Sequence, residues 1–580
     1  MNNQFNQYSR TNRQLTRESS RKHYRHQRNS SVSAALSPGF GINTRSGKHQ
    51  SNSAPTRESL HIHFFEDATR DQIKKIGQYV AILVSIFLLI FMVVASWKGS
   101  DMTGHLGLPI FTMTLVSVLL FGFSYLTASY MSNKSFVFLV LVLLAIELVK
   151  VFIVLTYQIG PTSDYWNYHY LAYARASGIP WTRHLVGINS SWPHVLNIAF
   201  LYSIPYSLIG TNFVTSQLIN IAFTFFDALL IYKLSASIIN KQAGIFSALI
   251  FSLIPAYFMY SILNGAEPMF LTFVLGLLVS FDTFMKRDEY TTNQRWLTNT
   301  LTMFILAILA YMVRPTIAIW LVAGLLFLLF RRDTRRVSPT LRLKRYSFFL
   351  GFMAVFFIFS SLSANVYSGL YGMQIGSNNN LNKYSLATGT SPSTDGAYNK
   401  EIYGIMEKNY KKYPDPHQME THINADLNRQ INQNVSTLNH SGHWGIFLDQ
   451  KYTAFSAENY GYNWLLYNTA KGNKHTGNFY SMKQSLVTLS VIFFEFILVL
   501  CIITMSFILL FAPIIPDSVA MQNKLFYLSL LLDGFIIGSM IFEVQGRYHT
   551  ILYLPLVLIL GLGIKLLTER GHKLNLNLTI

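Results

Sequence analysis

Residues 135–157 read SFVFLVLVLLAIELVKVFIVLTY, an apolar run interrupted by one acid, Glu147, and one base, Lys150. A helix of that length crosses the ~30 Å hydrocarbon core of a bilayer and closes its own backbone hydrogen bonds while doing so. The two charges stand three apart on one helix face, where each offsets the other's insertion cost. Outward from this run, comparable stretches recur near 78–97, 106–130, 213–233, 243–262, 267–285, 298–313, 316–330, 346–366, 485–511, 524–543 and 551–567. The expectation is an all-α polytopic membrane protein, a helical bundle of about 12 transmembrane helices. Residues 193–210 are also apolar, but a crossing there would invert every later loop. They read as a juxtamembrane or re-entrant helix, broken by Pro205 and ending at Gly210.

Composition agrees. Hydrophobic residues make up 51% of the 580 and charged residues only 13%, where a soluble chain carries about 25%. Most of the net charge of +19 sits in the N-terminus and in short loops. That is a positive-inside pattern, pointing to membrane lipids as surroundings and away from nucleic acid. The lone Cys501 excludes an intrachain disulfide and any cysteine-built metal site.

The chain divides accordingly. Residues 1–72 form a basic, polar stretch with too little apolar surface to fold and no secretory h-region; they read as a disordered cytoplasmic tail. Residues 73–134 form an N-terminal hairpin, and 135–366 a transmembrane core whose first outer loop is 158–212. Residues 367–484, too long for a plain loop, should form a structured extracytoplasmic domain with helical composition over 401–440. Residues 485–580 supply the last helices and a short cytoplasmic tail. The cations Lys233, Lys241, Lys286, Arg287, Arg295, the run 331–345 and Lys565 to Lys573 then face the cytoplasm. Both termini are cytoplasmic in this scheme.

Several polar groups fall where lipid should be. Asp227, Glu495 and Asp533 have no local partner in the sequence. Asp164, Glu267, Arg314 and Arg547 all fall at the outer face. Arginine grips phosphate oxygens with a planar fork, and a carboxylate can take the proton of an attacking hydroxyl. Two of each at one interface suit a lipid phosphate beside a hydroxyl acceptor.

The residues around these charges resemble the GT-C glycosyltransferases, in the branch of the protein O-mannosyltransferases and the lipid A aminoarabinose transferase. The stretch Thr162-Ser163-Asp164-Tyr165-Trp166-Asn167-Tyr168, continuing to Ala176-Ser177-Gly178, is similar to that family's first outer loop. Asn264-Gly265-Ala266-Glu267-Pro268 stands where the family often has a second carboxylate. Tyr311 to Thr316 resembles its basic residue between two short helices, and Glu543 to His549 its late-helix motif. There are departures. Tyr165 follows Asp164 where the mannosyltransferases have a second acid. Trp192-Pro193 replaces a Lys-Pro pair, and two extra helices precede the core.

The resemblance implies a GT-C-like bundle that transfers a sugar from a polyprenyl-phosphate-linked donor to a hydroxyl-bearing acceptor on the outer face. The acceptor class is a cell-wall glycopolymer, a glycolipid or a protein, and the setting a bacterial plasma membrane. Asp164 is the expected general base. Glu267 is expected to orient the acceptor or, with Asp164, to hold a divalent metal ion. Tyr168, Arg314, Arg547, Tyr548 and His549 are expected to bind substrate, and Trp444, Tyr460, Tyr462 and Trp464 to stack on sugar rings. A lipid-linked oligosaccharide polymerase or ligase, and a non-catalytic flippase or transporter, are the alternatives.

Overall fold

A computed structural model of the chain describes residues 57–578 apart from 103–107, 158, 334–336, 470–475, 513–514 and 516. Among the described residues every regular element is helical. Of the unit Met1–Glu66 only a helical start from Arg57 is described; the basic cluster of the tail lies outside the described residues. The helix Arg57–Gly99 shows that 57–72, expected as tail, is helical instead.

Among the described residues ten helices are long and apolar enough to cross a membrane. Each coincides with an expected span, from Thr69–Gly99 to Gly546–Thr568. The two remaining expected spans take other forms. Pro315–Phe330 is a shorter apolar helix, and 243–262 is a pair, Lys241–Leu253 and Pro255–Ser261, bent by 65°. Pro255 causes the bend: it donates no backbone hydrogen bond, and it holds Ile254 in an extended conformation. Residues 193–209 form one helix, Pro193–Ile209, in which Pro205 is accommodated rather than breaking it; the chain leaves at Gly210 with φ 133°. This helix packs along Asp164–Ala176.

The bundle is tied by polar contacts at the places where intramembrane charges sit. Glu147 and Lys150 pair at 3.0 Å. Asp227 accepts from Thr272 at 2.5 Å and from Tyr257 at 3.3 Å. The first span supplies the other partners: Ser85 donates to Asp533 at 2.6 Å and Ser96 to Glu495, while Gln78 donates to Asn523 at 2.7 Å. Glu495 and Asp533 thus hold the additional N-terminal helix against the last helices, a packing role. Lipid-facing positions such as Phe91, Leu119, Leu126 and Phe152 are apolar and exposed.

The helix Pro339–Tyr371 ends at Gly372 in the left-handed conformation. Beyond it the stretch 401–440 is helical as expected, in Lys400–Lys412 and Pro416–Ser441. These helices close a small core of their own, including Tyr384, Ile402, Met406, Met419, Ile423 and Leu427, against which Trp192 packs.

Candidate active site

Four chain breaks deliver the charged residues to one end of the bundle. After the span Phe136–Tyr157, Thr162 is pinned: its N–H and hydroxyl both donate to Asn468 Oδ1 at 2.9 Å. Ser163 then turns the chain with φ 52° and Asp164 opens the helix Asp164–Ala176. A carboxylate in a first helical turn is favoured by the unpaired N–H groups there. The second break is the hairpin tip 262–266. Gln217 donates to Ile262 O at 2.8 Å, Asn220 to Leu263 O at 2.7 Å and Tyr202 to Gly265 O at 3.2 Å. Gly265 is required here, because a Cβ would stand 2.6 Å from the Tyr260 hydroxyl. Glu267 follows, 1% exposed, accepting from Tyr260 on one oxygen and from Arg314 on the other.

Arg314 sits between Asn293–Val313 and Pro315–Ile317, extended at φ −145° because proline follows it. Asn197 steadies this turn, donating to Met312 O at 3.0 Å while accepting from the Tyr371 hydroxyl at 2.7 Å. Arg547 stands in the 3₁₀ stretch Gly546–Leu552. Gly546 lets that stretch approach the loop domain, since a Cβ would lie 2.7 Å from Ala457 O.

Together these residues form two ion pairs around one ring. Arg547 donates to Asp164 at 2.7 Å, and Arg314 pairs with Glu267. The Tyr548 ring is shared by both guanidiniums, at 5.0 Å from Arg314 Cζ and 5.6 Å from Arg547 Cζ, and Arg547 also lies 4.7 Å over Trp464. The two carboxylates differ in access. The Asp164 side chain is 41% exposed, and that of Glu267 is 1% exposed. Burial among protein atoms pushes the Asp164 carboxyl up, but Arg547 beside it, helped by Arg314, holds it below the usual carboxylate range. His194 joins the cluster from the first turn of Pro193–Ile209. Burial, helped by Arg314 and Arg547 and opposed by Asp164, pushes its pKa down to about 4, and its Nδ1 is buried without a hydrogen-bond partner.

A family model described as dolichyl-phosphate-mannose-protein mannosyltransferase matches residues 193–363. The match supports a membrane glycosyltransferase of the GT-C type. The matched segment contains His194, Glu267 and Arg314, whereas Asp164 and Arg547 lie on either side of it. No curated protein and no solved structure matches this chain.

Within this glycosyltransferase-like core the sequence-derived residues separate into groups. Asp164, Glu267, Arg314, Arg547 and Tyr548 come together. Tyr168, one turn along from Asp164, is 4% exposed and lies among the same charges. His549 does not join them. It is fully buried, its Nδ1 2.7 Å from Phe455 O and its Nε2 2.5 Å from Glu458, with the ring stacked on Phe494. Arg547 and His549, two residues apart, face different surroundings, one the site and the other the interior. Tyr460 and Tyr462, at 3% and 0% exposure, are core residues and not a sugar platform, and Trp444 is bound to Asn439 at 2.8 Å. Trp464 instead backs Arg547.

Glu267 has both oxygens occupied, by Tyr260 and Arg314, and among the described residues no three His, Cys, Asp or Glu side chains converge. The residues present do not fit a divalent ion held by Asp164 and Glu267. Sequence reasoning missed His194 and Tyr260. His194 carried one signal, a lone imidazole opening an otherwise apolar helix; Tyr260 carried none, being one tyrosine among many.

Proposed function

We propose that this chain transfers a sugar from a polyprenyl-phosphate-linked donor to a hydroxyl-bearing acceptor at the outer face of a bacterial plasma membrane. The observation that carries the reading is an accessible carboxylate, Asp164, paired with Arg547, whose guanidinium shares the Tyr548 ring with that of Arg314. Arginine pairs of this kind suit a lipid phosphate. The family match adds a lipid-linked mannose donor in the printed name of its family.

In the proposed reaction the acceptor hydroxyl attacks the anomeric carbon and passes its proton to Asp164. The new C–O bond forms as the bond between anomeric carbon and phosphate oxygen breaks, and the phosphate departs with the electron pair. Arg314 and Arg547 stabilise the charge that grows on that phosphate. Arg547 has a second duty, keeping Asp164 ionised before the donor arrives. A phosphate that draws Arg547 toward itself weakens its hold on Asp164 and makes the carboxylate a stronger base as transfer begins. Glu267, sealed from solvent, acts by orienting Arg314. Tyr168 and Tyr548 line the site, and Trp464 brings the loop domain against Arg547.

The test is transfer from a synthetic polyprenyl-phosphate sugar to envelope acceptors by the purified chain, with products read by mass spectrometry. Donor binding and movement without glycosidic bond formation would favour a transporter and contradict the proposal.

A further inference from the structure

A second cluster of charge lies at the other end of the bundle. Arg70 and Lys74 on the first span, Arg331 after the short helix Pro315–Phe330, and Arg342 and Arg345 on Pro339–Tyr371 line one shallow cleft open to solvent. Asp333 faces them, 3.3 Å from Arg331 and 4.0 Å from Arg342, and Asp71 lies near Lys74. Their neighbour Arg332 shows the ordinary solution, a full ion pair with Asp71 at 3.0 Å. Among the described residues Lys74 and Arg345 are placed without an ion pair. Lys74 donates to the carbonyl of Arg331 at 3.0 Å, and Arg345 to the carbonyls of Met285 at 2.9 Å and Arg287 at 3.2 Å. These bonds fix the positions of the charges without neutralising them. The Nε of Arg345 is buried and has no hydrogen-bond partner.

Positive charge at a membrane boundary is common and by itself marks only topology. Here the cations converge from three elements, Arg70 and Lys74 four apart on one face and Arg342 and Arg345 three apart on another. All three elements turn apolar beyond this level, which is where lipid headgroups lie. The cleft is also remote from Asp164. The first span reaches the other end of the bundle at Lys98, which pairs with Asp449 at 3.6 Å, and Ser100, which accepts from the Glu458 N–H at 2.9 Å. The separation is therefore on the order of the ~30 Å hydrocarbon thickness.

We infer that this cleft binds a phosphate group, at a site separate from the candidate active site. A phosphate offers oxygens to several guanidiniums at once and relieves their mutual repulsion. An anionic lipid headgroup and a free phosphate carry the same chemistry. The inference does not depend on the proposed transferase reaction.

The experiment uses the full chain in phosphatidylcholine nanodiscs, titrated in one arm with short-chain phosphatidylglycerol and in the other with inorganic phosphate. Binding is read by native mass spectrometry and by the shift in unfolding temperature. Saturable binding is expected, weakened about tenfold or more in the Arg342→Gln/Arg345→Gln variant and unchanged in Arg295→Gln, an exposed cation elsewhere on the same chain. Lys74→Gln provides a second variant should the double one fail to insert. Saturation by phosphatidylglycerol alone assigns the source to lipid, and saturation by both probes assigns it to phosphate in general. Absence of saturable binding in both arms, or equal weakening in Arg295→Gln, would overturn the site.

Discussion

Arg547 donates to Asp164 across 2.7 Å, joining residues 383 positions apart and coupling the protonation of the candidate base to the cation beside it. Asp164 is held below the usual carboxylate range against the opposing pull of burial, so it is ionised at neutral pH. Activity that needs the ionised carboxylate is present above its lowered pKa and lost as pH falls through it. In Arg547→Gln burial acts unopposed by its main partner, and the acid limb should move to higher pH. A pH–rate profile of sugar transfer in both proteins checks this; coincident acid limbs would show that the pair does not control the base.

His194 gives a second pH signature with the opposite chemistry. Its pKa of about 4 lies below the unfolded value, so the folded state disfavours the proton. As pH falls below ~6.5 the unfolded chain takes up that proton first, and the contribution of the neutral imidazole to stability declines down to pH ~4. His194→Gln should flatten that part of the curve. Unfolding temperature measured between pH 4 and 7.5 is the readout, and identical slopes would remove His194 from the account.

Tyr260→Phe tests the support of Glu267. It removes the donor from an oxygen of a carboxylate that is 1% exposed, at a cost of about 1–3 kcal/mol. Thermal unfolding in detergent should register the loss, and donor binding should weaken because Arg314 is less firmly aimed. Gly265→Ala should do the same by steric means, since its Cβ would meet the Tyr260 hydroxyl at 2.6 Å. Wild-type stability in both variants would show that Glu267 is held by other contacts.

Orientation is open to direct labelling. Exposed Gln433 and Thr340 lie in the loop domain and in the cationic helix start. The native Cys501 is fully buried and gives little background. Gln433→Cys should react with a membrane-impermeant thiol reagent in intact cells, and Thr340→Cys only after permeabilisation. The reverse pattern would place the site on the cytoplasmic face.

Much of this architecture was legible in the sequence because lipid allows only self-satisfied helices, so apolar length alone marks each span. The bend at Pro255 and the continuity through Pro205 were harder to read. A proline's effect depends on whether neighbouring helices support the backbone, and that is a tertiary matter. Asp164, Glu267, Arg314 and Arg547 were legible as charges in unfavourable places. Their pairing was not, since it rests on contacts between residues far apart in the chain. His549 illustrates the limit: it stands two residues after Arg547, yet a 3₁₀ stretch turns it toward Glu458 and the interior. For Asp533 and Glu495 the sequence alone does not separate a packing role from a functional one; the contacts from Ser85 and Ser96 do.

The central claim is that Asp164 acts as the base while Arg314 and Arg547 hold the phosphate. It is tested most directly by measuring donor binding and single-turnover transfer side by side in Asp164→Asn. Asparagine keeps the shape but accepts no proton, so the account predicts donor affinity within a few-fold of wild type and transfer reduced by roughly 10²–10⁴-fold. Transfer at near the wild-type rate in a variant that binds donor normally would contradict it.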